Sequence, residues 1–143
     1  MDLLTLFFKP NVVKRSGYFL LLVLLSLILS SCDDEIFGPR TFEGFWDVTE
    51  KSEVFGELSF RVWIEESPGD NSRLIIYDFS FLEGADVVAD VLERNLTISP
   101  QSVAARGGAF QISGSGTASS NRRRIDWQYR IDGDNYTAVF VKQ

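Results

Sequence analysis

The sequence predicts an all-β domain, an eight-stranded antiparallel up-and-down barrel, with a two-sheet β-sandwich as the alternative arrangement of the same strands. Three observations carry that expectation. Apolar and polar residues alternate with period 2 in almost every segment after residue 41. Clusters of Gly, Pro, Asp, Asn and Ser interrupt them at intervals of roughly 8 to 14 residues. No stretch of ten or more residues shows capped helical spacing. Eight strands joined by short turns can close, and closure removes the edges that template aggregation.

Residues 1–31 differ in kind from the rest. Lys9, Lys14 and Arg15 precede an apolar run from Tyr18 to Leu25, resumed at Leu27, Ile28 and Leu29; this is the order of an n-region and an h-region in an export signal. Tyr18 to Ser31 is 14 residues, about 21 Å as a helix against a hydrocarbon core of about 30 Å, so the segment reads as a removed signal peptide rather than a span. Residues 32–40 read as an acidic tether and residues 41–143 as the β domain.

The first expected strand covers 41–52, with Phe42, Gly44, Trp46 and Val48 on one face. Leu58, Phe60, Val62 and Ile64 line the second, and Ser67-Pro68-Gly69-Asp70-Asn71 turns the chain. A third strand over 73–82 is apolar on both faces; Ile75, Tyr77, Phe79 and Phe81 are assigned inward, opposite Leu74 and Ile76. A fourth over 86–93 carries Val87, Ala89 and Val91, and a short fifth over 95–99 carries Leu96 and Ile98. The sixth, 109–117, places Phe110 and Ile112 before Gly114 and Gly116, glycines suited to bending a strand at a barrel corner. Ile125, Trp127, Tyr129 and Ile131 share one face of a seventh strand over 124–131. Asp132-Gly133-Asp134-Asn135 is a hairpin turn by its chemistry, and the eighth strand, 136–142, turns Tyr136, Ala138 and Phe140 inward. So many large inward side chains predict a packed interior rather than an empty cup.

Composition excludes several chemistries. Among 143 residues there is one cysteine and no histidine, which removes Cys/His zinc sites, histidine triads, internal disulfides and iron-sulfur clusters. The net charge of -6 argues against sequence-independent nucleic-acid binding, which draws its affinity from Lys and Arg on phosphates. Neither Glu65-Glu66 nor Asp132-Gly133-Asp134 has the spacing of a calcium loop. No metal, no cofactor and no catalytic constellation is expected, so the chain is expected not to be an enzyme; a carboxylate-dependent hydrolase is the distant alternative.

The apolar run ends in Leu29-Ser30-Ser31-Cys32, which resembles the lipobox of bacterial lipoprotein precursors. The resemblance implies cleavage before Cys32, acylation of Cys32 with palmitate-type chains, and attachment to a membrane through that lipid. Asp33-Asp34-Glu35 resembles the short acidic signal that sorts some lipoproteins to the cell surface, which implies the outer membrane; in other bacteria an aspartate there implies inner-membrane retention, and a solvated tether is compatible with both. The run Gly44-Phe45-Trp46-Asp47-Val48-Thr49 is similar to the Gly-x-Trp opening of lipocalin-like domains. Leu96-Thr97-Ile98-Ser99-Pro100-Gln101, Ile112-Ser113-Gly114-Ser115-Gly116-Thr117 and Tyr136-Thr137-Ala138-Val139-Phe140 look like segments of small calycin-like bacterial lipoproteins. No counterpart of the N-terminal 3₁₀ turn or C-terminal helix of true lipocalins is read from the sequence.

Three candidate sites follow. Trp46, Phe60, Phe79, Trp127 and Tyr129 are the residues that would hold a small hydrophobic ligand inside the barrel. Arg122, Arg123 and Arg124 form a candidate contact for a phosphate, a sulfated glycan or a lipid headgroup; a solvated loop is the plainer reading. Phe45 and Trp63 point away from the inward set and together would make a partner-binding patch. The expected role is a non-enzymatic binding or accessory module at the envelope, contacting an envelope protein or a small apolar or glycan ligand; the alternative is a lipocalin-like carrier.

Overall fold

The computed structural model describes residues 39–143. The signal segment, Cys32 and the Asp33, Asp34, Glu35 triplet lie outside the described residues. The described chain is a closed eight-stranded barrel in which each strand pairs with its sequence neighbours and the last pairs with the first. In order the strands are β1 (Gly44–Ser52), β2 (Gly56–Glu66), β3 (Arg73–Tyr77), β4 (Val87–Leu92), β5 (Asn95–Ala105), β6 (Gly108–Ala118), β7 (Arg124–Ile131) and β8 (Asp134–Lys142). Every pairing is antiparallel, and the β1–β8 ladder runs from Trp46↔Lys142 to Ser52↔Tyr136. The alternation of inward apolar and outward polar residues fixes this register, because a one-residue slip would expose the whole apolar set.

Because strands alternate in direction, one end of the barrel collects the chain entry and the β2–β3, β4–β5 and β6–β7 connections. The far end collects the β1–β2, β3–β4, β5–β6 and β7–β8 connections. The entry end is closed by a 3₁₀ turn at Pro39–Phe42, an element the sequence reading did not anticipate. Its Phe42 is fully buried, accepts a 2.8 Å hydrogen bond on its carbonyl from Trp46 Nε1, and stacks at 6.3 Å on the Trp46 ring. Lys142 sits 6.0 Å over that indole and donates to the Thr41 carbonyl at 2.8 Å.

Three expectations about strands are corrected. Leu74 and Ile76 are fully buried, whereas Ile75 and Tyr77 face outward and are half-buried. With both faces apolar, periodicity could not choose. The partners choose, since Ile76 pairs with inward Ile64 and Val87, and Leu74 with inward Ala89. The third strand also stops at Tyr77 rather than continuing to residue 82, and β5 runs on to Ala105 past a register shift between Ile98 and Gln101. At that bulge the Gln101 side chain stands in for a strand partner, accepting from the Val88 N–H at 3.0 Å and donating to its carbonyl at 2.8 Å.

Gly114 and Gly116 supply space. They pair across the ladder with Tyr129 and Trp127. A Cβ at Gly116 would lie 2.7 Å from the Trp127 ring, and one at Gly114 would press on Tyr129 Cβ and come within 2.7 Å of the Gln128 carbonyl oxygen. Alanine normally improves on glycine in a strand, yet here Gly114→Ala should cost about 1–3 kcal/mol by overpacking. Gly116→Ala should cost less, because a ring edge yields more easily than backbone. Denaturant titration checks this; an unchanged midpoint for Gly114→Ala would contradict the packing described.

Candidate functional site

β3 and β4 are too short to complete the wall at the far end. The β2–β3 ladder covers only Trp63–Glu66 of β2, and the β4–β5 ladder only Asn95–Thr97 of β5. Residues 78–86 fill the space. Their outward attachments include the Arg106 N–H on the Glu83 carbonyl at 2.8 Å and the Arg106–Glu83 ion pair at 2.7 Å. Within the loop, Phe79 N–H bonds the Ala85 carbonyl and Gly84 N–H bonds Asp78 Oδ1. Asp78, Ser80 and Phe81 hold φ of 55°, 54° and 57°. Left-handed backbone at non-glycine residues costs on the order of 1–3 kcal/mol each and persists only where the surroundings hold it.

What holds it is visible inside the barrel. Phe79 is fully buried, 4.7 Å from the Tyr129 ring and 6.4 Å from both the Trp127 and Phe140 rings. The left-handed Ser80 points its hydroxyl at Glu50, donating to Oε2 at 2.6 Å, and the Tyr129 hydroxyl donates to the same oxygen. Glu50 is 2% exposed, and neither of these bonds uses its Oε1. A buried carboxylate is tolerable only when hydrogen-bonded, and these two donors meet that need. Burial is the first cause, and Glu50 the second, that pushes the Tyr129 phenol far above its ordinary value; Tyr136, stacked on it at 5.6 Å, is raised by burial. Trp127 Nε1 is a buried donor without a hydrogen-bond partner.

The structure therefore brings three of the five expected ligand residues together, Phe79, Trp127 and Tyr129. Trp46 belongs to the closure of the entry end. Phe60 is half-buried at the far end, 6.0 Å from the exposed Phe81. Glu50 and Ser80 were missed. Glu50 carried a signal, because it continues the inward series Trp46, Val48; Ser80 carried none, because the strand expected there would not have turned it inside.

The three arginines diverge. Arg122 is 6% exposed, lies 5.2 Å over the Phe42 ring and donates to the Glu93 carbonyl at 2.6 Å; burial, then Arg94, holds its guanidinium below the ordinary value. Arg123 donates to the Lys142 carbonyl at 3.3 Å, and Arg124 pairs with Asp126 at 2.6 Å. On the outer wall, Phe45 and Trp63 are 52% and 38% exposed and meet edge to face at 4.7 Å.

The tyrosines give a pH test. A phenol whose folded-state pKa is raised contributes stability that is complete below the unfolded value of about 10 and is lost as pH climbs through the folded value. Tyr77, held up to about 12 chiefly by its hydrogen bond to Glu65, should ionise late but reversibly. Tyr129 should ionise only as the barrel unfolds. Phenolate absorbance against pH, compared with Tyr129→Phe, reads this out; a group lost in Tyr129→Phe that titrates near pH 10 in the folded protein would contradict the buried cluster.

Among known proteins, no family profile and no curated protein matches the chain. A solved structure described as a redesigned β-barrel is similar in fold, with a TM-score of 0.53 at 14% identity over 72% of this chain and 92% of that one. At that identity the likeness speaks for the barrel alone.

Proposed function

We propose that this chain is a lipid-anchored, non-enzymatic accessory module of the bacterial outer membrane, held by an acylated Cys32, directed outward by Asp33, Asp34 and Glu35, and docking an envelope protein on the outer wall of β1–β4. The observation that carries the docking reading is a row of apolar side chains on that wall, grouped around Glu65, which accepts from the Trp63 indole and the Tyr77 hydroxyl. Phe45 pairs with Trp63, Trp63 with Tyr77, and Ile75 with Val88, all on the outward face. Single exposed apolar residues are ordinary, whereas three neighbouring aromatics, Phe45, Trp63 and Tyr77, flanked by Ile75 and Val88 have the makeup of an interface hot spot. Arg61, 5.9 Å over the Phe45 ring, gives the strip a charged border. The runner-up, a lipocalin-like carrier, requires Phe79 to leave the interior.

Photoreactive side chains at positions 45 and 63, introduced in the native host, should each crosslink the same envelope protein, while one at Gln128 on the opposite wall should not. Trp63→Ala should weaken that association by about 2 kcal/mol or more. In the same cells Cys32→Ser should lose palmitate labelling and membrane attachment. Equal crosslinking from both walls would sink the docking reading, and unchanged labelling would sink the anchor.

A further inference from the structure

We propose that the Glu50–Ser80–Tyr129 cluster beside Phe79 is a binding site for a small organic amine with an aromatic or similarly apolar body, and that residues 78–86 are a plug which this ligand displaces. The plug already occupies the site as such a ligand would. Its Phe79 ring fills the space against Trp127, Tyr129 and Phe140, and the adjoining Ser80 hydroxyl places a donor 2.6 Å from Glu50 Oε2. With the plug withdrawn, that space would be walled by aromatic rings, with the Glu50 carboxylate in its wall and one of that carboxylate's present donors, Tyr129, still in place. An ammonium group satisfies a buried carboxylate better than a hydroxyl does, because the hydrogen bond is then charge-assisted, and aromatic faces favour a cation beside them. Trp127 Nε1, buried and without a partner, offers a donor to any acceptor the ligand carries.

Three features make the plug displaceable. Its left-handed residues Asp78, Ser80 and Phe81 release strain on leaving. Four of its hydrogen bonds close within the loop, those of Phe79, Leu82, Gly84 and Ala85, and so can travel with it. It also spans a part of the wall that the β2–β3 and β4–β5 ladders do not reach. The far end carries an acidic excess: Glu53, Asp78, Asp86 and Asp132 lie in its connections and Asp134 opens β8, while Lys51 and Arg106 are paired with Glu57 and Glu83 and Arg130 is the further base there.

The test is titration of the full chain in a zwitterionic detergent, followed by tryptophan fluorescence and calorimetry, with phenethylamine as probe and phenylacetate as its anionic counterpart. The proposal expects saturable amine binding about tenfold or more tighter than that of the acid. It expects tighter binding in Phe79→Ala, where the competing plug is weakened, and loss of binding in Glu50→Gln. Equal affinity for amine and acid, or no saturable amine binding to either the wild type or Phe79→Ala, overturns it. Should Glu50→Gln fail to fold, the amine–acid comparison on the wild type decides alone. Failure here leaves the docking wall standing, since crosslinks at positions 45 and 63 do not involve the interior.

Discussion

The insertion of Phe79 into the barrel is the contact on which the rest of this structure depends. Two strands end early, and an eight-stranded sheet with a breach at one end would leave Trp127, Tyr129 and Phe140 exposed to water. Burying one phenylalanine among them contributes on the order of 1.5–3 kcal/mol by area alone, and aromatic pairing adds to that. The same insertion forces the left-handed backbone at Ser80, and that backbone delivers the Ser80 hydroxyl to Glu50. Packing, strain and the buried polar cluster are thus one arrangement seen at three levels.

The two ends of the barrel are built by different physics. At the entry end the short turn at Pro39–Phe42 is held by an indole hydrogen bond and by the cations Arg122 and Lys142 lying over aromatic faces; among its described non-glycine residues, Glu93 and Arg122 hold positive φ, each singly in its own connection. At the far end a strained loop closes over a buried carboxylate. Elements that open for a ligand are drawn from the less stable parts of a fold, and the far-end loop, with three left-handed non-glycine residues in nine, is such an element.

Much of this fold was legible in the sequence, and the failures have definite causes. Seven inward residues on β7 and β8, from Ile125 to Phe140, could be read directly: on β7 the intervening Asp126, Gln128 and Arg130 are polar, and the tight turn at Asp132-Gly133 carries the same alternation into β8. The Asp132-Gly133 turn was readable because both residues adopt positive φ, 49° and 96°, which Asp and Gly tolerate. β3 was misread because Leu74, Ile75 and Ile76 are apolar without interruption, and only the neighbouring strands decide which side is inside. The 3₁₀ turn at Pro39–Phe42 was missed because its stability comes from Trp46 and Lys142, distant or out of phase in sequence. Glu50 was passed over although its parity placed it inside; the inference failed because an unpaired carboxylate in a core is implausible until Ser80 and Tyr129 are seen beside it.

The most direct measurement of this account is a through-space proton NMR experiment on the full chain, reading contacts from the Phe79 ring. The account predicts cross-peaks from Phe79 to the rings of Tyr129, Trp127 and Phe140, with upfield-shifted Phe79 resonances. A Phe79 ring with solvent-like shifts and no contact to Tyr129 would contradict it, and the plug, the strain and the enclosed Glu50 would fall with it.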